Sequence, residues 1–346
     1  MAAQARVGAF IWPYIQAGLP TQGRAVRFSR CSFVRKLLSV VAVLALGSSL
    51  AACGSDNNAG SDFGAGGIKV TSDFGQKPTV THRDGEPDKS LVTEVLKEGD
   101  GPEVKKGELL TANYLGQIWR DNKVFDNSYD RGAPASFPIG VGGVVAGWDE
   151  GLVGKKIGSR VVMSIPPDKG YKEQGNEQAG IKGDDTLIFV VDIVGAFDAS
   201  KKASGGTAQN VPAGQPTVTG AQTAEPKVTV PKGYKAPAKP GAPVVVIKGA
   251  GKPVEKNSML LMDYAIFDYT GKKQASTWVA SEQAPTPGPM AQAIAPTGVS
   301  AADAGPLGSL AGVPLGSRVI LHLPPQQNQA AFAVIDLIDS LPIAAA

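Results

Sequence analysis

Residues 95–114 read VLKEGDGPEVKKGELLTANY, and residues 245–264 read VVIKGAGKPVEKNSMLLMDY. The two align without a gap at an offset of 150, with identities at Gly99/Gly249, Gly101/Gly251, Val104/Val254, Lys106/Lys256, Leu110/Leu260 and Tyr114/Tyr264. Further on, GSRVVMSIPP (158–167) matches GSRVILHLPP (316–325), and VVDIV (190–194) matches VIDLI (334–338). A repeat of this extent is the mark of one duplicated unit of about 100 residues.

Within the first copy the elements are short. Leu110, Ala112 and Tyr114 alternate with Thr111 and Asn113, the period of a half-buried strand. RVVMSI and TLIFVVDIV are rich in β-branched residues and bounded by Gly and Pro, so they also read as strands. Val144, Trp148 and Leu152 fall at i, i+4 and i+8, which predicts one short helix over VVAGWDEGLVG. Several strands and a single helix imply an α+β unit, a curved antiparallel sheet closed over that helix.

Composition bounds the chemistry. The chain has 346 residues, room for about two domains of ordinary size. Two Cys and two His leave no material for a zinc site, an iron–sulfur cluster, a disulfide scaffold or a histidine-based acid–base cluster. No cofactor or metal is expected. GVGG (140–143) reads as a turn, because the glycine spacing of a dinucleotide loop fails at Val145. GAGKP (249–253) lacks the remaining residues of a phosphate loop, and neither His82 nor His322 has partners for a triad.

The formal charge of +3 is unevenly spread. Residues 1–52 hold six Lys or Arg and no acid, which leaves 28 basic against 31 acidic residues beyond them, a net of −3. Nucleic acid is therefore not an expected partner. Arg35-Lys36 runs into LLSVVAVLALGSSLAAC, a basic n-region, an apolar h-region and small residues, which reads as a secretory signal. Leu50-Ala51-Ala52-Cys53 resembles a bacterial lipobox, and that resemblance implies a lipid on Cys53 and a place on the extracytoplasmic face of the cell membrane. Residues 1–25 exceed what an n-region needs, which suggests a translation start near Val26. The expected layout is a signal region over 1–52, a flexible tether over 53–87, a first domain over 88–198, a Pro/Gly/Ala-rich linker over 199–240 and a second domain over 241–346.

The first copy resembles the FKBP-type peptidyl-prolyl cis-trans isomerases, the tacrolimus-binding fold. The blocks that carry the likeness are ANYLG, KVFDNSYDRG, SFPIG, VVAGWDEGL, SIPPDKGY and TLIFVVDIV, in order over about residues 89–198. Taken alone, Trp148, Phe125 and Phe189 read as core and Asp126 with Arg131 as an ion pair; the six ordered blocks turn that reading toward a pocket. The resemblance implies a hydrophobic basin floored by Trp148, with Tyr114, Phe125, Asp126, Tyr171 and Phe189 as the catalytic set. It places Val144, Val145, Ile181 and Arg131 in substrate binding, with Arg131 supporting Tyr114 and Asp126 from behind. Two departures stand out: Ala135 lies where the family has an aromatic, and KEQGNEQAGIKGDD (172–185) lacks the usual Pro pair.

The resemblance implies two FKBP-like domains, each a curved antiparallel sheet wrapped around a short helix, as in the tandem lipoproteins of high-GC Gram-positive bacteria. In the second copy, alignment replaces Trp148 by Pro306, Phe189 by Ala333 and Phe125-Asp126 by approximately Ala275-Ser276, so no activity is expected there. The expected function is X–Pro isomerisation during folding of exported proteins, by a monomer that binds proline-containing segments and tacrolimus-type macrolides. The alternative is a non-catalytic proline-segment binding module or chaperone of the cell envelope.

Overall fold

The structure is a computed structural model that describes residues 63–237, 241–280, 287–294, 305–326 and 329–343. Cys53, the signal region and the first part of the expected tether lie outside the described residues. Among the described residues no helix is long and apolar enough to cross a membrane.

The chain opens with a hairpin of β1 (Ile68–Thr71) and β2 (Thr79–His82). Then come β3 (Val92–Lys97), β4 (Leu109–Ile118), β5 (Val124–Asn127), β6 (Ala135–Pro138), α1 (Ala146–Leu152), β7 (Arg160–Ile165) and β8 (Leu187–Phe197). These form an antiparallel sheet in the order β3-β7-β8-β4-β5, with β6 also paired to β4. The second half lays down β9 (Thr207–Ala208), β10 (Thr217–Thr219), β11 (Lys227–Thr229), β12 (Val244–Lys248), β13 (Ser258–Asp268), β14 (Lys273–Ser276), β15 (Met290–Ala293), β16 (Arg318–Gln326) and β17 (Gln329–Pro342). Its sheet runs β14-β13-β17-β16-β12-β9 with β15 on β13, the order of the first sheet plus the short strand β9.

The repeated residues hold equivalent joints. Gly154 N–H donates to Val104 O and Gly312 N–H to Val254 O, both at 2.8 Å; Gly158 bonds Ile193 O as Gly316 bonds Leu337 O. Gly99 explains its own repetition: a Cβ there would lie 2.2 Å from Ile157 O, and at Gly249 2.1 Å from Leu315 O. Only glycine lets those backbones approach so closely.

Each sheet is apolar on both faces. On β4 and β8, Leu110, Ala112, Tyr114, Phe189, Val191 and Ile193 face α1, while Leu115, Ile188 and Val190 face the other way, with Val162 of β7. The β1–β2 hairpin covers this outer face with Ile68 and Val80, both buried. Burying such a side chain is worth about 1.5–3 kcal/mol. Residues 63–87 are therefore a folded cover and not the expected tether; His82 stacks on Trp119 with ring centroids 4.0 Å apart.

The expected linker over 199–240 is corrected in the same way. Its strands β10 and β11 form a hairpin, and Val211, Val218, Val228 and Val230 pack on the outer face of the second sheet, against Val246, Ala265, Phe267, Ile320, Phe332 and Val334. The two hairpins are copies of each other. KVTSDFGQKPTVTH (69–82) aligns with TVTGAQTAEPKVTV (217–230), matching Val70/Val218, Thr71/Thr219, Pro78/Pro226, Val80/Val228 and Thr81/Thr229. Val70 pairs with Val80 and Val218 with Val228, so the register is repeated too. The duplicated unit is a hairpin plus a sheet.

A buried ion pair fastens each hairpin to its sheet. Arg160 donates to Asp192 through Nε (2.6 Å) and Nη2 (2.7 Å) and reaches Ser72 O and Gln76 O in the β1–β2 turn. Arg318 does the same to Asp336 (2.7 Å twice) and to Gly220 O, Ala221 O and Ala224 O. The halves also share an apolar seam of Leu109, Phe197, Met259, Leu261, Ala293 and Ile343.

Candidate functional site

The helix is shorter than its apolar spacing suggests. It starts at Ala146, so Val144 precedes it and Val145 is its N-cap. Asp149 fixes this entry, accepting N–H bonds from Gly140 (2.6 Å) and Gly142 (2.7 Å). A carboxylate in the first helical turn also meets the positive end of the helix dipole. The GVGG turn is thereby tied down, and it sets Val144 and Val145 against the cluster built on Trp148.

Trp148 is 3 % exposed and sits at the centre of an aromatic set. Tyr114, Phe137 and Phe189 meet it edge-on, with centroids at 5.5, 5.1 and 5.3 Å. Phe125 is edge-on to Phe189 at 5.6 Å. Edge-to-face pairs of this kind are worth about 0.5–1.5 kcal/mol beyond their burial, and they hold rings in fixed planes. The Trp148 indole N–H is buried and has no hydrogen-bond partner among the described residues. An orphaned buried donor costs about 1–3 kcal/mol.

The polar side of the site is compact. Tyr114 O–H donates to Asp126, Arg131 Nη1 donates to Asp126 Oδ1 at 2.5 Å, and Arg131 Nη2 reaches Tyr114 Oη at 2.7 Å. Burial pushes the Tyr114 hydroxyl well above the usual tyrosine range, although the Arg131 charge opposes this. Burial raises Tyr171 as well. Both hydroxyls stay protonated donors at neutral pH. The loop before β8 turns on a bridge in which Ile181 N–H donates to Asn176 O and Asn176 N–H to Ile181 O, which delivers Ile181 to the core. No hydrogen bond among the described residues uses the Val145 N–H.

All ten side chains singled out in the sequence lie in or against this cluster. Tyr114, Trp148, Ile181 and Phe189 are buried members, Phe125, Val144, Val145 and Tyr171 pack around them, and Asp126 and Arg131 close the edge through Tyr114. Two residues escaped the sequence reading. Phe137 is one, touching both Tyr114 and Trp148; its signal is the i, i+2 spacing from Ala135 on β6. Gly116 is the other. A Cβ there would fall 2.6 Å from Phe125 and 2.8 Å from Phe189, so glycine is what lets both rings stand over β4. A lone glycine inside a strand pattern is its signal.

The second copy closes the same space differently. Backbone register sets Ala265 opposite Ser276 and Ile266 opposite Ala275, which corrects the alignment: Gln274 stands in place of Phe125 and Ala275 in place of Asp126. Ile266 replaces Gly116 and Ala333 replaces Phe189. A 3-10 turn, Pro306–Leu310, replaces α1 and buries Leu307 and Leu310. Tyr264 keeps the place of Tyr114, among the described residues without its ionic partners, its hydroxyl pushed by burial to about 12.

The family match falls on the first copy. Residues 101–194 match the FKBP-type peptidyl-prolyl cis-trans isomerase family. The FK506-binding protein of Streptomyces anulatus is 38 % identical over 119 residues, 34 % of this chain and 96 % of that protein. The FK506-binding protein of Neisseria meningitidis is 41 % identical over 111 residues, 32 % of this chain and 98 % of that protein. Among solved structures, the crystal structure of AtFKBP13 is similar at 36 % identity over 30 % of this chain and 91 % of that chain, with a TM-score of 0.28. Relatives that are matched over nearly their whole length at this identity place the chain in the FKBP-type peptidyl-prolyl cis-trans isomerase family.

Proposed function

We propose that the first copy alone is the isomerase, and that it accelerates X–Pro isomerisation in exported proteins from a lipid anchor on Cys53, on the extracytoplasmic face of the membrane. The observation that carries this reading is the cluster on Trp148, with Tyr114, Asp126 and Arg131 at its edge, set against its replacement in the second copy by Gln274, Ala333 and the aliphatic side chains of Ile266, Leu307 and Leu310.

The chemistry fits a site with no nucleophile or metal. An X–Pro bond favours trans by only about 0.5–1 kcal/mol, yet rotation faces a barrier of about 18–20 kcal/mol. In the twisted amide the C–N bond has lost its resonance and the carbonyl is less polar than in either planar form. A dry aromatic basin favours that less polar species, which is differential binding of the transition state. Trp148 carries the proline ring, Phe125, Phe137 and Phe189 confine it, and Tyr171 O–H and Val145 N–H donate to substrate carbonyls. Arg131 holds Tyr114 and Asp126 in one arrangement while the bond turns. Tacrolimus-type macrolides compete for the same basin.

A second reading, a proline-segment binding module, draws on Ala135, which leaves the wall beside Phe137 low. A protease-coupled isomerisation assay on the full chain separates the two. Turnover that is lost in Trp148→Ala supports the enzyme. Proline-peptide binding without turnover in the wild type establishes the binding module instead. For the anchor, radiolabelled palmitate should enter the wild type and not Cys53→Ala; labelling of both would sink it.

A further inference from the structure

We propose that the β1–β2 hairpin is a positioning element of the isomerase site, acting through Tyr129 and, secondarily, Lys77 on the short segment that carries Asp126 and Arg131. This rests on the site assigned above.

Residues 125–131 are used on two sides. Toward the cluster, Asp126 and Arg131 bond each other and Tyr114. Away from it, Tyr129 O–H donates to Asp192 Oδ2 at 2.9 Å. That oxygen also accepts from Arg160 Nη2 (2.7 Å) and from Gly75 N–H in the hairpin turn (2.7 Å). The Asp192 carboxylate is fully buried, so Tyr129 is tied to the best-fixed polar point on that face of the sheet. One residue on, Asp130 accepts both contacts of Lys77, also from the hairpin turn, at 2.7 and 2.8 Å. Residues 129–131 form a single 3-10 turn, so holding Tyr129 and Asp130 sets the direction from which Arg131 returns. Lys77 and Asp130 are exposed, so their pair is the weaker strut.

The second copy isolates what Tyr129 adds. It keeps the hairpin, the buried Arg318–Asp336 pair and the hydroxyl that caps this segment, Thr277 in place of Ser128. At the next position it has Trp278, which packs under its hairpin but, among the described residues, leaves its indole N–H buried without a partner. The copy without the ionic site has the packing alone; the copy with the site has packing and a bond to the buried carboxylate.

The test is a double-mutant cycle in the full chain, read as kcat/KM in the protease-coupled assay with chemical denaturation alongside. Tyr129→Phe keeps the ring and removes the bond, and the expected loss is roughly three- to tenfold, the scale of one hydrogen bond. In an Arg131→Ala background the same change is expected to cost nothing further, because the pair it positions is gone. Lys77→Ala is expected to lower kcat/KM less than Tyr129→Phe does, in the same non-additive way. A Tyr129→Phe protein that is as active as the wild type, or losses that multiply fully with Arg131→Ala, would overturn the proposal and leave Tyr129 a packing residue. An inactive wild-type chain would instead remove the isomerase reading beneath it.

Discussion

The two halves are a natural experiment in what a sheet needs to fold and what a site needs to work. Both retain the Gly99/Gly249 approach, the Ser159/Ser317 hydroxyl that accepts its N–H, and the Arg–Asp pair under a hairpin. They part where the rings stand. The first half uses a glycine on β4 and two phenylalanines above it; the second uses an isoleucine and no ring at either place. Gly116 with Phe189 and Ile266 with Ala333 are two ways to fill one volume, since cores demand close packing but not a particular shape. Aromatic walls are thus a property of the site, and the scaffold does not depend on them.

The sharpest way to break this comparison is to install the second solution in the first half. Phe189→Ala is expected to cost about 3–5 kcal/mol of stability, because the ring is nearly buried and its removal leaves a hole. It should also lower kcat/KM roughly a hundredfold, the scale of about 2.7 kcal/mol of lost contact with the proline ring. Adding Gly116→Ile together with Phe125→Gln, which removes the other ring a side chain at 116 would strike, should return much of the stability, measured by urea unfolding, and none of the activity. Activity restored with stability would show that the rings are only packing.

Next in size is the clasp that the halves share. Asp192 and Asp336 are both fully buried opposite their arginines. Removing one partner of such a pair costs about 3–5 kcal/mol, because the other charge is left buried alone. Arg160→Ala and Arg318→Ala should therefore destabilise to similar extents. They should differ in function: Arg160→Ala also loosens Tyr129 and lowers kcat/KM at temperatures where the chain is still folded, while Arg318→Ala leaves it unchanged. Equal losses of activity would mean that the halves do not work separately.

A smaller effect probes the polar edge. Asp126 is half-exposed and stands where the second half has Ala275. Asp126→Ala should cost roughly tenfold in kcat/KM, the scale of a charged hydrogen bond, with a change in unfolding midpoint no larger than a surface pair gives. The pH profile should be flat from about 7 to 9, because Tyr114 and Tyr171 are both shifted above the ordinary tyrosine value.

How legible this was in the sequence depended on distance along the chain. The strands, the helix and the pocket set were readable because alternation, glycine punctuation and ordered motifs are local signals. The hairpins were not. KVTSDFGQKPTVTH and TVTGAQTAEPKVTV are short, rich in Thr, each punctuated by one Gly and one Pro, and carry one or two apolar residues per strand, so each read as tether or linker. Their evidence lay elsewhere, in TLIFVVDIV, whose apolar run over residues 187–191 puts apolar side chains on both faces of the sheet. A burial need on β8 is met by residues more than a hundred positions away, and single-window reading does not connect them. The pocket replacements were misaligned by one residue for a related reason: a strand register is set by the bonds it makes, and the intervening loop had changed length.

The last difference is electrostatic. In the second half His322 lies buried on the outer face of β16, its Nδ1 2.8 Å from Tyr269 Oη, with Tyr234 and Phe332 around it. The structurally equivalent residue in the first half is Ser164, which does not titrate. Burial lowers the His322 value below its ordinary 6.5. The unfolded chain then binds a proton that the folded chain refuses, so the contribution is whole above about pH 6.5 and is lost as pH falls through the window below it. Urea midpoints should therefore decline on acidification in the wild type and decline less in His322→Gln, while the change at pH 8 stays small. If both proteins follow the same pH curve, His322 takes up its proton as readily in the folded chain as in the unfolded one, and burial in the aromatic layer does not hold it neutral.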